Sequence, residues 1–325
     1  MSIHPEIEDK LMSLPQAIKH FVKDGAQIAI GGFTVTRNPM AAVYEIVRQG
    51  IKDLHVVCHS NGQGLDVLIG AGCVKLLEIA YGGNGRYAPT CIRFKKAIQQ
   101  GEIQFEDYSN YQMSLRFLAG ALGVPFIPTK SGLGTDILKL EGFPTEIRGE
   151  RKVAPKKCEV ISNPFNGADD RVVLLPALNP DVTILHAQYV GEDGTVRVKG
   201  LTFADMEQAK ASDTVIVTCE EIVPRSFIRE DPDQNCLPPF FVDAVVKAPH
   251  GAHPTSCYSF YDYDPTHLNL YKRVAQDDAA FQEYLREWVY SISTHEEYLE
   301  KVGAAGLSRI KADPALGYAP GLDRK

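Results

Sequence analysis

The feature that most constrains this chain is a rhythm: short apolar runs that stop at glycine or a polar turn alternate with amphipathic stretches, as in SLPQAIKHFVK, AQIAIGGF, AAVYEIVRQG and LHVVC. A run as brief as AQIAI, closed by two glycines, suits a strand buried on both faces better than a helix. Ser13 and Pro15 open the first helical stretch and Asp24-Gly25 closes it. Pro39 starts the second, which Gly50 stops. The alternation continues with VKLLEIAY, GGNG, a basic amphipathic stretch over 91–100, an apolar helix over 111–122, and VPFIP. Such alternation predicts the α/β class: an open, mainly parallel sheet with helices on both faces.

Residues 128–170 break the rhythm. They are rich in glycine, proline and charge (TKSGLGTD, EGFPTEIRGERKVAPKK) and read as an irregular surface excursion. RVVLLPAL, DVTILHA and DTVIVTC then resume the strand pattern, and FVDAVVKAP follows. Residues 264–325 read as a helical C-terminal extension, in which AFQEYLREWVYSI carries the only tryptophan, Trp288. With no internal repeat, residues 1–325 read as one domain.

Composition removes whole classes of function. The chain has 34 basic and 41 acidic residues among 325, a formal charge of -7, so no global field attracts nucleic acid or an anionic membrane. No apolar run approaches the roughly 18 residues a membrane span needs, and the opening MSIHPEIEDK is too polar for a signal peptide. Seven cysteines, odd in number and without a CxxC pair, read as reduced thiols packed as small hydrophobes. The expectation is a soluble, cytoplasmic protein.

Ligands of parallel sheets gather at the carboxyl ends of the strands. Those ends carry Gly31-Gly32-Phe33, Cys58-His59-Ser60-Asn61-Gly62, Gly82-Gly83-Asn84-Gly85 and Cys219-Glu220-Glu221. Glycines there let a ligand approach the backbone and expose N–H donors, or merely permit tight turns. Glu220 and Glu221 suit an acid, base or nucleophile, or alternatively a helix cap.

Asp24-Gly25-Ala26-Gln27-Ile28-Ala29-Ile30-Gly31-Gly32-Phe33, with Pro39 six residues on, resembles the signature of the class I coenzyme A transferases. Arg37 departs from it, standing where most members carry glycine. GGFTVTRNP is similar instead to the alpha subunit of the glutaconate type. So are DLHVVCHSNGQGLDVLIG, EDYSNYQMSLRFLAGALGVPF, HAQYVGEDGTVRVKG and VDAVVKAPHGAHPTSCYSFYDYD, in order along nearly the whole chain.

The resemblance implies a transferase that moves CoA between an acyl-CoA and a free carboxylate through a glutamyl-CoA intermediate. The nucleophilic glutamate lies in a Ser-Glu-Asn-Gly turn of a beta subunit. The string here, His59-Ser60-Asn61-Gly62, lacks the glutamate, so the implied partner is a beta subunit in a hetero-oligomer of alpha-beta pairs. Asn110 falls where a backbone N–H contributes to the oxyanion hole, with a simple helix N-cap as the alternative for its side chain. Gly31, Gly32 and Phe33 would flank the acyl or pantetheine region, and His59, Ser60, Asn61, Gly83 and Asn84 would line the rest. Arg37 is a candidate grip on the distal carboxylate of a dicarboxylate. The coenzyme A thioester is a substrate, and neither a cofactor nor a metal is implied.

Related acyl-CoA decarboxylases and ring-opening hydrolases share the pattern; the hydrolases carry a glutamate at the position of Asn110, which argues against that activity here. Outside the family, Gly83-Asn84-Gly85-Arg86-Tyr87-Ala88 matches GxGxxA, with Glu102 and Glu106 at a distance suited to a ribose, as in NAD(P)-binding oxidoreductases. A ligand-sensing module without catalysis would carry a DNA-binding segment, and none is visible. His250 and His253 read as loop histidines rather than a metal pair, and Arg151, Lys152, Lys156 and Lys157 as a solvated basic face or a phosphate contact.

Overall fold

The computed structural model describes residues 7–150 and 152–322. Helix α1 (Leu14–Phe21) starts at the expected serine: Ser13 and Gln16 form a reciprocal capping box, with proline in the first turn. Strand β1 (Gln27–Ile30) follows and is wholly buried. Helix α2 (Met40–Arg48), β2 (Leu54–Asn61), α3 (Gln63–Gly70), β3 (Val74–Gly82), α4 (Ile92–Gln100) and β4 (Gln104–Asp107) complete the first run. Gly101, left-handed at φ 69, ends α4 as a glycine cap does. A second capping box, Ser109 with Gln112, opens α5 (Asn110–Ala121).

Residues 128–170 are less irregular than their composition suggests. They contribute to a three-stranded antiparallel sheet of β5 (Phe126–Thr129), β6 (Glu159–Asn163) and β7 (Gly167–Pro176), in the order β5-β7-β6. The apolar run RVVLLP therefore joins this small sheet rather than the parallel one. Val173 and Leu175 alternate inward onto Met113 and Phe117 of α5, as a strand's period of two requires.

The chain returns to the large sheet with β8 (Val182–Gly191), the short β9 (Val196–Arg197), α6 (Asp205–Ala211), β10 (Thr214–Val223), α7 (Arg225–Glu230) and β11 (Ala244–Lys247). Its order is β11-β10-β8-β1-β2-β3-β4, with these strands parallel and β9 antiparallel on β8. Because the chain goes from β1 to β2 on one side and comes back to β8 on the other, strand order reverses at β1. That reversal point is where open α/β sheets usually hold ligands.

The C-terminal helices are α8 (Pro265–Val274), α9 (Asp278–Leu285), which runs into a π-helical turn at Arg286–Tyr290, α10 (His295–Val302) and α11 (Ala304–Ile310). They are part of the core rather than an appendage: Tyr271, Phe281, Tyr284, Val289 and Tyr298 share one apolar cluster with Ile28, Val56 and Leu77 of the central strands. The start of the chain closes the opposite edge, where Met12 N–H donates to Val245 O of β11 (3.0 Å) and Val245 N–H to Lys10 O (2.8 Å). All seven cysteines are free thiols, and among the described residues no helix is long and apolar enough to cross a membrane.

Candidate functional site

Three loops meet at the carboxyl ends of β1, β2 and β3, and their contact is unusually close. A Cβ placed on Gly62 would lie 2.3 Å from Asn84 Oδ1, 2.5 Å from Thr34 O and 2.6 Å from Gly83 O. Gly62 is therefore glycine because the loops after β1 and β3 press against its Cα. Asn61 ties them together. Its Nδ2 donates to Gly31 O (3.2 Å), its Oδ1 accepts from Gly62 N–H and Leu65 N–H at the start of α3, and its backbone oxygen accepts from Gly83 N–H (3.0 Å). Asn84 Nδ2 donates to Gln63 Oε1 (2.9 Å). Gln63 Nε2 and Asn84 Oδ1 are buried without partners, polar capacity left over in the middle of this junction.

His59, Ser60 and Asn61 lie inside β2, which runs to Asn61 rather than ending at Cys58. His59 faces Phe33, ring centroids 5.7 Å apart, and Phe33 stacks on Phe203 at 4.5 Å and 12°. Burial lowers the His59 pKa, the charge of Asp205 acting in the opposite direction, so its ring is neutral at neutral pH. Its Nδ1 is buried and unpartnered.

Asn110 is the first residue of α5, and the N-cap is Ser109, whose side chain accepts from Gln112 N–H. The alternative of Asn110 as the cap is thereby corrected. A residue in the first helical position has an N–H with no intrahelical acceptor, at the positive end of the helix dipole. The Asn110 side chain turns back to β2, its Oδ1 accepting from Ser60 Oγ (2.5 Å). Further along α5, Arg116 anchors the helix to β3 by pairing with Glu78 (2.5 Å) and lies over the Tyr108 ring. Burial alone would raise the Glu78 pKa, but Arg116 and His55 hold it down at about 2.

Arg37 departs from its expected role. It is 1% exposed, and Nη1 pairs with Asp205 Oδ2 (2.5 Å) and donates to His186 O while Nη2 donates to Leu201 O. The guanidinium is committed to Asp205 and to the backbone oxygens of His186 in β8 and of Leu201. Glu220 and Glu221 also lie within a strand, β10, rather than at a helix start, so the capping alternative falls. Glu220 is buried and accepts from His250 N–H (2.7 Å) and Tyr261 OH (2.6 Å), with His186 Nε2 at 2.7 Å. Burial would raise its pKa; these partners overcome that and lower it. Its atoms are committed, whereas Glu221 is exposed.

His186, Glu220 and Cys257 are the one group of potential metal ligands close together among the described residues, and His186 is already bonded on both ring nitrogens, to Thr218 Oγ1 and Glu220. His253 likewise bonds Tyr298 OH and Asp264. In the basic cluster Lys152 pairs with Asp181 and Asp213, Lys156 with Glu159 and Lys157 with Asp107, while Arg151 lies outside the described residues. The structure thus brings together the candidates from β1, β2, β3 and α5 and leaves Glu220 and the lysines aside. Asp205 and Phe203 escaped the sequence reading, because only folding brings them to β1, more than 160 residues away, as the span from Arg37 to Asp205 is 168.

Residues 11–248 match the family described as Coenzyme A transferase. The chain is 42% identical to the alpha chain of glutaconate CoA-transferase from Acidaminococcus fermentans over 310 residues, 95% of this chain and 97% of that one. It is 31% identical to the corresponding chain of 3-oxoadipate CoA-transferase from Pseudomonas knackmussii, over 90% of this chain and 98% of the relative. The crystal structure of the Acidaminococcus fermentans glutaconate coenzyme A-transferase superposes with a TM-score of 0.92, covering 97% of this chain and 98% of the other. A variant of the decarboxylase AibA/AibB gives 0.72 at 31% identity, covering 85% and 98%.

Proposed function

This chain belongs to the coenzyme A transferase family, as an alpha-type subunit, and we propose that with a beta subunit it moves CoA between an acyl-CoA and a free carboxylate, a dicarboxylate such as glutaconate among the substrates. The observation that carries this reading is the match to the alpha chain of a glutaconate CoA-transferase from end to end, at 42% identity. The chain's own chemistry agrees with a divided site. Glu220, a buried carboxylate that the sequence offers as an internal nucleophile, lies aside from the converging loops and is saturated by Tyr261, His186 and the His250 N–H. The glutamate that attacks the thioester is therefore assigned to the partner, where it would expel CoA as the thiolate to form a mixed anhydride, and the thiolate would then attack the glutamyl carbonyl, releasing the acyl group as a carboxylate and leaving the glutamyl-CoA thioester.

What this chain supplies is a wall and a donor. As the partner's carboxylate adds to the thioester carbonyl, negative charge builds on the oxygen, and the Asn110 N–H at the start of α5 is suited to receive it. Phe33 and Phe203 form an apolar wall against which an acyl or pantetheine chain can lie, and His59 is a neutral ring beside it. The 31% identity to the decarboxylase supports a second reading, in which the same alpha subunit serves a decarboxylating complex.

The test is to purify the chain alone and together with a co-expressed candidate beta subunit, then to follow CoA exchange between glutaconyl-CoA and acetate. Exchange by the pair and none by the chain alone is expected. Full exchange by the isolated chain overturns the divided site, and release of carbon dioxide without exchange moves the assignment to the decarboxylase. Asn110→Pro isolates the donor, since proline is well tolerated in the first helical turn and Ser109 before it is already extended (φ -74, ψ 158). Asn110→Pro should lose exchange on the order of 100-fold while Asn110→Ala loses far less. Equal losses would assign the effect to the side chain.

A further inference from the structure

The segment that leaves β1 is strained, and one carboxylate from the start of α6 holds it. Gly32, Thr34 and Arg37 all have left-handed backbones, with φ of 82, 47 and 53. Two of the three are not glycine, and such conformations persist only where surrounding contacts over-determine them. Phe33 and Thr36 exchange backbone hydrogen bonds across the turn, Arg37 N–H donates to Ser256 O (2.7 Å), and Asn38 N–H to Thr255 Oγ1 (3.1 Å). Asp205 completes the restraint. Its Oδ1 accepts from Gly32 N–H (2.9 Å) at the start of the strained segment, and its Oδ2 pairs with Arg37 at the end.

Asp205 is 1% exposed and opens α6, two residues after Phe203, itself left-handed at φ 50 and stacked on Phe33. One carboxylate therefore fixes both ends of the segment carrying Phe33 and the approach of the ring that Phe33 rests on. The same pair fills the point between β8 and β1 where ligands of such sheets ordinarily sit.

We propose that Asp205 is a positioning residue, which with Arg37 clamps the segment 32–37 and sets the Phe33–Phe203 wall against which the acyl-CoA lies. This rests on the transferase reading above. The clamp acts through the Gly32 N–H as well as through charge, so it separates from bulk stability in a double substitution. Arg37→Met with Asp205→Leu removes both buried charges at similar volume, a replacement that commonly restores stability, but it leaves Gly32 N–H without its acceptor and the backbone oxygens of His186 and Leu201 without the Arg37 donor.

In the complex with the beta subunit, the double variant should melt close to the parent. Its KM for glutaconyl-CoA should rise on the order of tenfold to a hundredfold, kcat falling less, since a displaced wall misplaces the substrate. Hydrogen exchange of the peptide covering 31–37 should speed up, while that of β1 stays slow. A double variant with the parent's melting temperature, KM and exchange overturns the proposal, as does a KM that follows the melting temperature across the Arg37→Met, Asp205→Leu and double variants. If the double variant does not fold, Asp205→Asn decides: it keeps an acceptor for Gly32 but leaves Arg37 unneutralised, and parental KM and exchange there overturn the clamp. A parent complex with no CoA exchange sinks the transferase reading alone, because the amide exchange of 31–37 still reports on the clamp.

Discussion

At the scale of single residues, the candidate site is defined by what it leaves no room for. Gly62 is held to glycine by space, its Cα lying against Thr34 O, Gly83 O and Asn84 Oδ1. Gly62→Ala would drive a methyl group against two backbone oxygens and Asn84 Oδ1. Overpacking of that kind costs about 1–3 kcal/mol. The variant should melt lower and lose CoA exchange beyond its loss of folded protein, measured by calorimetry alongside turnover; an unchanged melting temperature would mean that the three loops are not in contact. The cluster of glycines at the strand ends was legible in the sequence, but the reason for Gly62 was not. Its neighbours Thr34 and Gly83 come from other loops and carry no local signal. Arg37 is the sharper case. An arginine in a glycine-rich loop suggests anion binding, and only the fold shows that the anion is Asp205.

At the scale of elements, the helix starts were the most readable features, because caps act within one turn: Ser13 caps α1 as expected, and the cap of α5 is Ser109, one residue before the Asn110 that the sequence offered. Strand ends were less so: β2 and β10 run three or more residues past the apolar stretch because polar Ser60, Asn61 and Glu221 still pair with neighbouring strands, Ser60 with Tyr81, Asn61 with Gly82 and Glu221 with Tyr189. Residues 128–170 hid strand β6, EVISN, because its exposed positions Glu159 and Ser162 are polar. The C-terminal helices are joined to the sheet by a buried network in which His267 Nε2 meets Tyr284 OH (2.9 Å) and His253 meets Tyr298 and Asp264. Burial, reinforced by His253 and opposed by Asp264, pushes the His267 pKa down to about 3 from its ordinary 6.5. Between those values the unfolded chain binds a proton that the folded one refuses, so stability is full above about 6.5 and falls as the pH drops. His267→Gln, which keeps a partner for Tyr284 but does not titrate, should flatten the decline of the melting temperature between pH 6 and 4; the same slope in both proteins would show that His267 is not a source of it.

At the scale of the whole molecule, the parallel sheet and its helices were predictable from the rhythm of apolar runs, but the standing of the C-terminal segment was not. Periodicity shows that α8, α9 and α10 are amphipathic without saying what they cover. Since Tyr271, Phe281 and Tyr298 pack in the same cluster as β1, β2 and β3, heating should unfold the chain in a single transition, with calorimetric and van't Hoff enthalpies in agreement. A separate early transition for the C-terminal helices would contradict a shared core. The same arrangement bears on synthesis. Strands β1, β2 and β3 are buried in part by helices synthesised well after them, and the pairing of residues 10–12 with β11 joins one segment to another made far later. Contacts this distant in sequence are slow to form. The nascent chain therefore keeps β1, β2 and β3 incompletely covered until 265–310 have emerged, so translation sets the shortest time for which these strands are exposed to chaperones and proteases.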